Sequence, residues 1–288
     1  MDLTIIILSY KSKKYLAALL PTIFASQTKF SYEVIVVDND SRDGTAEWLQ
    51  TQIRRSADRQ ISLIQNQNTG FASGNNLGLK KARGRYVLLL NPDTRLQPDT
   101  LETMLVFMEA RPDVGISGCK ILKPDGKLDL ACRRRFPNPW NSFQRLFLLN
   151  NKDYNYADID ENQSMAVDSV VGAFLLIRKS VLDKIGLLDE QFFMYGEDLD
   201  WCWRCKQAGF LVWYYPQTFI WHDKGASSRK IPFKMLRAFH DAMWIFYRKH
   251  YARRSVFFLN WLVYIGIYLR LTVLLIVNAL RPQPRVSR

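Results

Sequence analysis

At 288 residues, 48% of them hydrophobic, the chain can bury a sizeable core and is too apolar to be disordered. Its formal net charge of +13 is unevenly placed: residues 229–288 hold 12 Lys or Arg against the single acid Asp241, whereas 28 basic and 26 acidic residues nearly cancel over the rest. A nucleic-acid binder clusters cations on the domain that reads the polymer, but here they flank the most apolar stretch, so nucleic acid is set aside and an anionic membrane surface is expected.

No charged n-region followed by an apolar h-region opens the chain, so its body is expected in the cytosol. Residues 3–8 form a β-branched run, and Tyr15, Leu16, Leu19, Leu20 and Ile23 recur at helix spacing. A second strand at 34–37 closes on Asp38-Asn39-Asp40-Ser41, after which Asp43-Gly44-Thr45 can open a helix containing Trp48 and Leu49. A third strand is expected at 61–64, a helix at 75–82, and a fully buried strand at 86–90 ending at Asn91-Pro92-Asp93. This alternation predicts a mostly parallel α/β sheet covered by helices, whose ligands bind beyond the carboxyl ends of the strands.

From about Gly115 the pattern loosens, with a basic, Pro-rich loop at Arg133-Arg134-Arg135-Phe136-Pro137-Asn138-Pro139. A strand is expected at 167–177, a helix at 199–208 entered through Gly196-Glu197-Asp198, and a strand at 210–214 with His222 beyond it. Four cysteines, Cys119, Cys132, Cys202 and Cys205, suit reduced thiols. The Cys202/Cys205 pair has CxxC spacing without a second CxxC, which favours helix packing over zinc or redox chemistry.

Pro232 can start an amphipathic helix with Leu236, Phe239, Met243 and Phe246 on one face, packed on the body. Residues 256–280 are apolar apart from Asn260, Arg270, Thr272 and Asn278. A crossing needs about 20 apolar residues, and a mid-helix Arg costs roughly 2.5–3.5 kcal/mol. Arg248, Lys249, Arg253 and Arg254 precede the segment and Arg281, Arg285 and Arg288 follow it. Both ends are therefore expected on the cytosolic leaflet, with the segment lying in the interface or dipping in and returning.

The polar residues at the strand ends each have two readings. Asp38, beside Ser9 and Tyr10, can accept from a pyrimidine N3–H or cap a helix. Asp93 can hold a divalent ion or belong to a plain Asn-Pro-Asp turn. Glu197, Asp198 and Asp200 can complement a helix dipole, worth about 0.3–1 kcal/mol each. Asp200 is expected to pair with Arg204 four residues on, which leaves Glu197 and Asp198 free to face a cleft, where repulsion lifts one pKa and favours proton uptake. His222 is a structural residue or a ligand or phosphate contact. GxGxxG and GxxxxGK are absent, which disfavours hydride transfer and P-loop chemistry.

Taken in order, these segments resemble the family-2 glycosyltransferases of GT-A fold, and within them bacterial rhamnosyltransferase-like proteins. The resemblance is carried by Thr4-Ile5-Ile6-Ile7-Leu8-Ser9-Tyr10, Val36-Val37-Asp38-Asn39, Asp43-Gly44-Thr45 and Asn68-Thr69-Gly70-Phe71-Ala72-Ser73-Gly74-Asn75-Asn76. It continues through Asn91-Pro92-Asp93, Gly172-Ala173-Phe174, Glu197-Asp198-Leu199-Asp200-Trp201 and His222. It implies a GT-A domain over 1–228, with a nucleotide-binding half at 1–112 and an acceptor-side half at 113–228, followed by a basic helical tail at 229–288.

The resemblance implies that Asp38 contacts the pyrimidine beside Ser9 and Tyr10, and that Asn68, Gly70, Asn75 and Asn91 shape the nucleotide-sugar pocket. Asp93 would bind a divalent cation, Mg2+ or Mn2+, with His222 near it. Asp198 would be the general base of an inverting transfer, Glu197 would support the acceptor, and Gly172, Ala173, Phe174 and Trp201 would line the acceptor site. Asn91 stands where the family's DxD motif has its first acid, leaving Asp93 as the motif's one carboxylate. The Asn-Pro-Asp form points to dTDP-L-rhamnose as donor and a lipid-linked saccharide acceptor at the cytosolic membrane face, in cell-surface polysaccharide synthesis. The alternatives are a UDP-hexose or UDP-N-acetylhexosamine donor, and a non-catalytic nucleotide-sugar-binding or membrane scaffold.

Overall fold

The computed structural model describes residues 1–55, 60–138, 141–142, 152–223 and 232–280. Its first part alternates β1 (Leu3–Ser9), α1 (Lys13–Phe24), β2 (Tyr32–Asn39), α2 (Thr45–Arg55), β3 (Ile61–Asn66), α3 (Phe71–Leu79) and β4 (Tyr86–Leu90). There follow β5 (Thr94–Leu96), α4 (Thr100–Ala110), β6 (Val114–Leu122), β7 (Arg133–Arg134), β8 (Met165–Val167), β9 (Ser169–Val170) and β10 (Phe174–Arg178). The last described elements are α5 (Lys179–Ile185), α6 (Glu197–Gln207), β11 (Leu211–His222), α7 (Phe233–His250) and α8 (Phe257–Leu280).

The main sheet has the order β3-β2-β1-β4-β10-β6-β11-β5, with β8 on β11. Strands β1 to β4, β6 and β11 point the same way, whereas β10, β5 and β8 run against them. The sheet is thus mostly parallel, and six strands deliver their carboxyl ends to one edge. Helices cover both faces of its centre: Ile5, Ile6 and Ile7 of β1 are all wholly buried although they alternate between faces. α3 lies unusually close to β1, since a Cβ at Gly78 would stand 2.6 Å from Cγ2 of Ile6 and one at Gly74 2.5 Å from Cδ1 of Leu8.

Two expected strands change length. The run expected at 167–177 is broken into β8, β9 and β10, because Val171, Gly172 and Ala173 turn the chain so that β10 enters antiparallel between β4 and β6. The strand expected at 210–214 continues to His222, with a register shift between Tyr215 and Phe219. Pro216, which has no N–H to give a neighbour, lies at that shift. His222 is therefore the last residue of a strand rather than a residue beyond one. α3 begins at Phe71, four residues before the expected start.

α7 packs on the body through Ala242 and Phe246, which meet Phe192, Phe136 and Trp203. α8 is one continuous helix of 24 residues, long and apolar enough to cross a membrane, and within 257–280 it does not turn back as the dipping arrangement required. It lies along α7, joined by Tyr247 to Asn260 (2.8 Å), Tyr268 to Asp241 (2.9 Å) and Arg270 to His240 (2.9 Å). Phe257, Phe258, Trp261, Ile265 and Leu269 are exposed on its outer side. Arg281, Arg285, Arg288, Pro139 and the boundary at 228/229 lie outside the described residues.

Candidate active site

The carboxyl ends of β1 and β2 are in register at Ser9 and Asp38, and those of β2 and β3 at Asn39 and Asn66. The buried carboxylate of Asp38 accepts from the Ser41 hydroxyl, and Ser41 Oγ in turn accepts from the Lys11 amide at 2.9 Å. Lys11, Asp40 and Arg42 all hold positive φ here, a strained backbone of the kind concentrated at binding sites and costing about 1–3 kcal/mol each. Asn39 donates to Asn68 Oδ1 at 3.1 Å and accepts from Asn66 at 2.9 Å, tying the loop before α3 to the strand ends. Gly70 has φ +113, and a Cβ there would lie 2.6 Å from the Phe193 carbonyl, which also accepts from the Phe71 amide. Only glycine fits that corner. Tyr10, one residue past the end of β1, is exposed.

Beyond β4, the Asn91 amide donates to the Ala173 carbonyl at 3.1 Å, extending the Leu90–Phe174 pairing into the two loops. Pairing of β11 with β5 sets Thr94 opposite His222, and the Asp223 amide donates to the Asp93 carbonyl at 2.8 Å. His222 Nε2 thereby stands 3.1 Å from Asp93 Oδ1 and 3.5 Å from the Asn91 amide nitrogen, while Nδ1 faces Asp129 at 3.8 Å.

At the start of α6, Asp198 Oδ2 accepts from the Gly172 amide at 3.0 Å and from Arg134 at 2.8 Å. The side chains of that ion pair are only 11% and 8% exposed. Asp198 is therefore not the free carboxylate expected. Glu197, also buried, has Oε2 without a hydrogen-bond partner. Burial first, and the neighbouring Asp198 second, push the Glu197 carboxyl up to about 8. Asp200 is taken up by basic partners: burial opposes its charge, but His250, Arg204 and Lys249 outweigh it and hold the carboxyl at about 2.

A chain of contacts thus joins the four expected positions. Asp38 adjoins Asn39, Asn39 binds Asn68 and the Gly70 carbonyl, Phe71 borders Gly172, Gly172 binds Asp198, and Ala173 binds Asn91 beside His222 and Asp93. Other expected residues have inward roles. Trp201 is wholly buried and donates to the Gly186 carbonyl at 2.9 Å, so it supports α6 and faces no acceptor. The Asn75 side chain donates to the Phe71 carbonyl of its own helix at 2.9 Å, and Ser9 Oγ is buried against Ser12 Oγ at 2.7 Å. Ala173 and Phe174 are buried in the sheet. Arg134 and Asp129 are passed over by spacing alone. The one sequence signal for Arg134 is an arginine triplet beside aromatic and proline residues, which suits a basic loop equally well.

The pattern of glycosyl transferase family 2 matches residues 4–186, more than half of the chain. The chain belongs to glycosyl transferase family 2. It is similar to the N-acetylglucosaminyl-diphospho-decaprenol L-rhamnosyltransferase of Mycobacterium tuberculosis, 26% identical over 246 residues that cover 76% of this chain and 75% of the relative. It is also similar to rhamnosyltransferase WbbL of Escherichia coli, 27% identical over 240 residues, covering 81% and 88%. Among solved structures, the mannosyltransferase PcManGT of Pyrobaculum calidifontis with GDP-Man and Mn2+ shares the fold at TM-score 0.62 and 16% identity, covering 98% of this chain and 76% of that one. TarS of S. aureus in complex with UDP-GlcNAc shares it at TM-score 0.59 and 17% identity, covering 94% and 72%.

This family-2 glycosyltransferase, with the GT-A fold of those structures, offers a two-residue corner for a cation. Two ligands at right angles, each roughly 2.1 Å from an ion, stand about 3.0 Å apart, close to the 3.1 Å between His222 Nε2 and Asp93 Oδ1. Among the described residues no three His, Cys, Asp or Glu side chains form a metal cluster. Asp93 and His222 thus offer one oxygen and one nitrogen to a divalent cation, with phosphate oxygens and water left to complete its coordination.

Proposed function

We propose that this glycosyltransferase transfers L-rhamnose from dTDP-L-rhamnose, with inversion, to a hydroxyl of a lipid-linked saccharide at the cytoplasmic membrane face, in cell-surface polysaccharide synthesis. The observation that carries the reading is the placement of Asp198, oriented by Gly172 and Arg134, one short turn from the Asn91–Asp93–His222 corner. The rhamnosyltransferase relatives support the donor, and the decaprenol-linked substrate named for the mycobacterial relative supports the acceptor class.

In this reading residues 1–112 bind the nucleotide, 113–228 receive the acceptor, and 229–288 hold the body to anionic lipid. α8 lies in the leaflet plane rather than across the bilayer, since its bonds to α7 from Asn260 to Arg270 keep it against a helix that packs on the body. Asp38 accepts from the pyrimidine, and the Asn68–Gly70 corner bounds the sugar nucleotide. Asp198 takes the proton of the acceptor hydroxyl as that oxygen bonds the anomeric carbon, and the carbon–oxygen bond to the diphosphate breaks on the opposite side. Glu197, protonated at neutral pH, donates a hydrogen bond to the acceptor. Asp93 and His222 would hold a divalent cation, which when bound would supply counter-charge to the departing diphosphate.

Asp198→Asn is expected to keep its donor affinity and lose transfer by about 10²–10⁴-fold, measured by calorimetry with the nucleotide sugar and by product formation. Wild-type turnover in that variant would remove Asp198 as the base. A donor panel in which UDP-sugars react and dTDP-L-rhamnose is inert would end the rhamnose assignment and leave glycosyl transfer standing.

A further inference from the structure

Between α7, α8 and the first turn of α6 lies an apolar cavity of about 330 Å3, within the roughly 300–1,000 Å3 of small-molecule sites. Its walls include Leu199 of α6, Phe239, Met243 and Phe246 of α7, and Leu262 and Ile267 of α8. Leu262 is also exposed on the surface of α8, so the cavity opens along the helix that carries the apolar outer face. Its lining also includes Tyr195 and Gly196, immediately before the acid pair Glu197 and Asp198. Tyr195 is held there with φ 72 and its ring edge-on to Phe239 at 5.8 Å.

The helix α7 that walls this cavity carries a cation in its first turn. Lys234 Nζ stands 4.0 Å over the Phe193 ring, and the Phe193 carbonyl accepts from Phe71 at the Gly70 corner. An apolar slot that opens along the exposed apolar helix, borders the α6 turn carrying the acid pair, and is walled by a helix whose first-turn lysine sits on Phe193 beside the Gly70 corner matches a hydrocarbon chain joined through phosphate to a sugar. A bilayer acyl chain needs the apolar lining but neither the acids nor the lysine.

We propose that this cavity binds the isoprenoid segment next to the diphosphate of the acceptor, an inference that rests on the lipid-linked acceptor reading above. The chain enters alongside α8, its first isoprene units fill the space between Phe239, Met243 and Leu262, and the attached saccharide reaches Asp198. Lys234 faces the diphosphate. The cavity thereby selects acceptors by their lipid.

Gly266 lines the cavity, and a Cβ added there meets nothing within 4 Å. Gly266→Phe therefore projects a ring into the space without a backbone clash. The test compares KM of the full chain in nanodiscs for one saccharide carried on polyprenyl diphosphate and on butyl diphosphate. The polyprenyl-to-butyl KM ratio is expected to rise about tenfold in Gly266→Phe, and to rise likewise in Met243→Trp. Because the readout is a ratio, a general loss of activity cancels. A diazirine-bearing polyprenyl diphosphate is expected to label Phe239 or Met243. An unchanged ratio in both variants, labelling confined to other regions, or weakened vesicle binding with an unchanged ratio, as a bilayer-lipid site would give, each overturns the proposal. Wild-type transfer to butyl diphosphate and none to the polyprenyl substrate would instead overturn the lipid-linked acceptor reading itself.

Discussion

Glu197 and Asp198 are neighbours in sequence with unlike surroundings. Asp198 has an arginine and a backbone amide on one oxygen, whereas Glu197 Oε2 is buried without a partner. Desolvation penalises the charged form, so Glu197 holds a proton at neutral pH. Below the ordinary glutamate value of 4.5, folded and unfolded chains both carry that proton and Glu197 adds no pH dependence. Between 4.5 and about 8 only the folded chain carries it, so stability falls as pH rises through this window. Glu197→Gln removes that slope: urea unfolding is expected to find variant and wild type alike near pH 4, with the variant ahead by a few kcal/mol at pH 9. A constant difference across pH would show that Glu197 is ionised in the fold. The acid pair is legible in sequence because acids at a helix start stand out. The division of roles is not, because it depends on Arg134, which approaches from more than sixty residues away.

At the scale of elements, α3 and β1 show how a helix is set against the sheet. Gly78 exposes no side chain, and Ile6 of the buried strand fills the space a Cβ would take, with three of its atoms within 3.3 Å of that position. Gly78→Ala improves helix propensity by about 1 kcal/mol, but Ile6 is wholly buried and β-branched and has little room to yield. Overpacking prevails, and thermal unfolding is expected to show a net loss of about 1–2 kcal/mol. A gain would mean that α3 can lift from the sheet. The strands β1, β2 and β4 are readable from their apolar runs, because strands buried on both faces need no alternation. The breaks at 171–173 and at the Tyr215/Phe219 shift are not, since an apolar run carries no record of which neighbour it pairs with.

Over the whole molecule, the helices of the basic tail pack on the body through Ala242 and Phe246. α8 spans about 36 Å at 1.5 Å per residue, has one side on α7 and leaves the other apolar and exposed. Phe258→Glu combined with Leu269→Glu changes only outer positions, 65% and 63% exposed. This double variant is expected to keep the wild-type melting temperature and lose at least about tenfold in sedimentation with anionic vesicles. Unchanged sedimentation would show that the outer face does not meet lipid. The sequence by itself determined the alternation of strands and helices, the polar residues at the strand ends and the charge asymmetry, because these are local patterns of hydrophobicity and charge. Only the tertiary structure decided that Arg134 meets Asp198, that Asp129 faces His222, that Trp201 and Asn75 turn inward, and that α7 and α8 enclose a cavity beside the acids. Such pairings depend on loop closure and strand register between distant segments, which spacing along the chain does not encode.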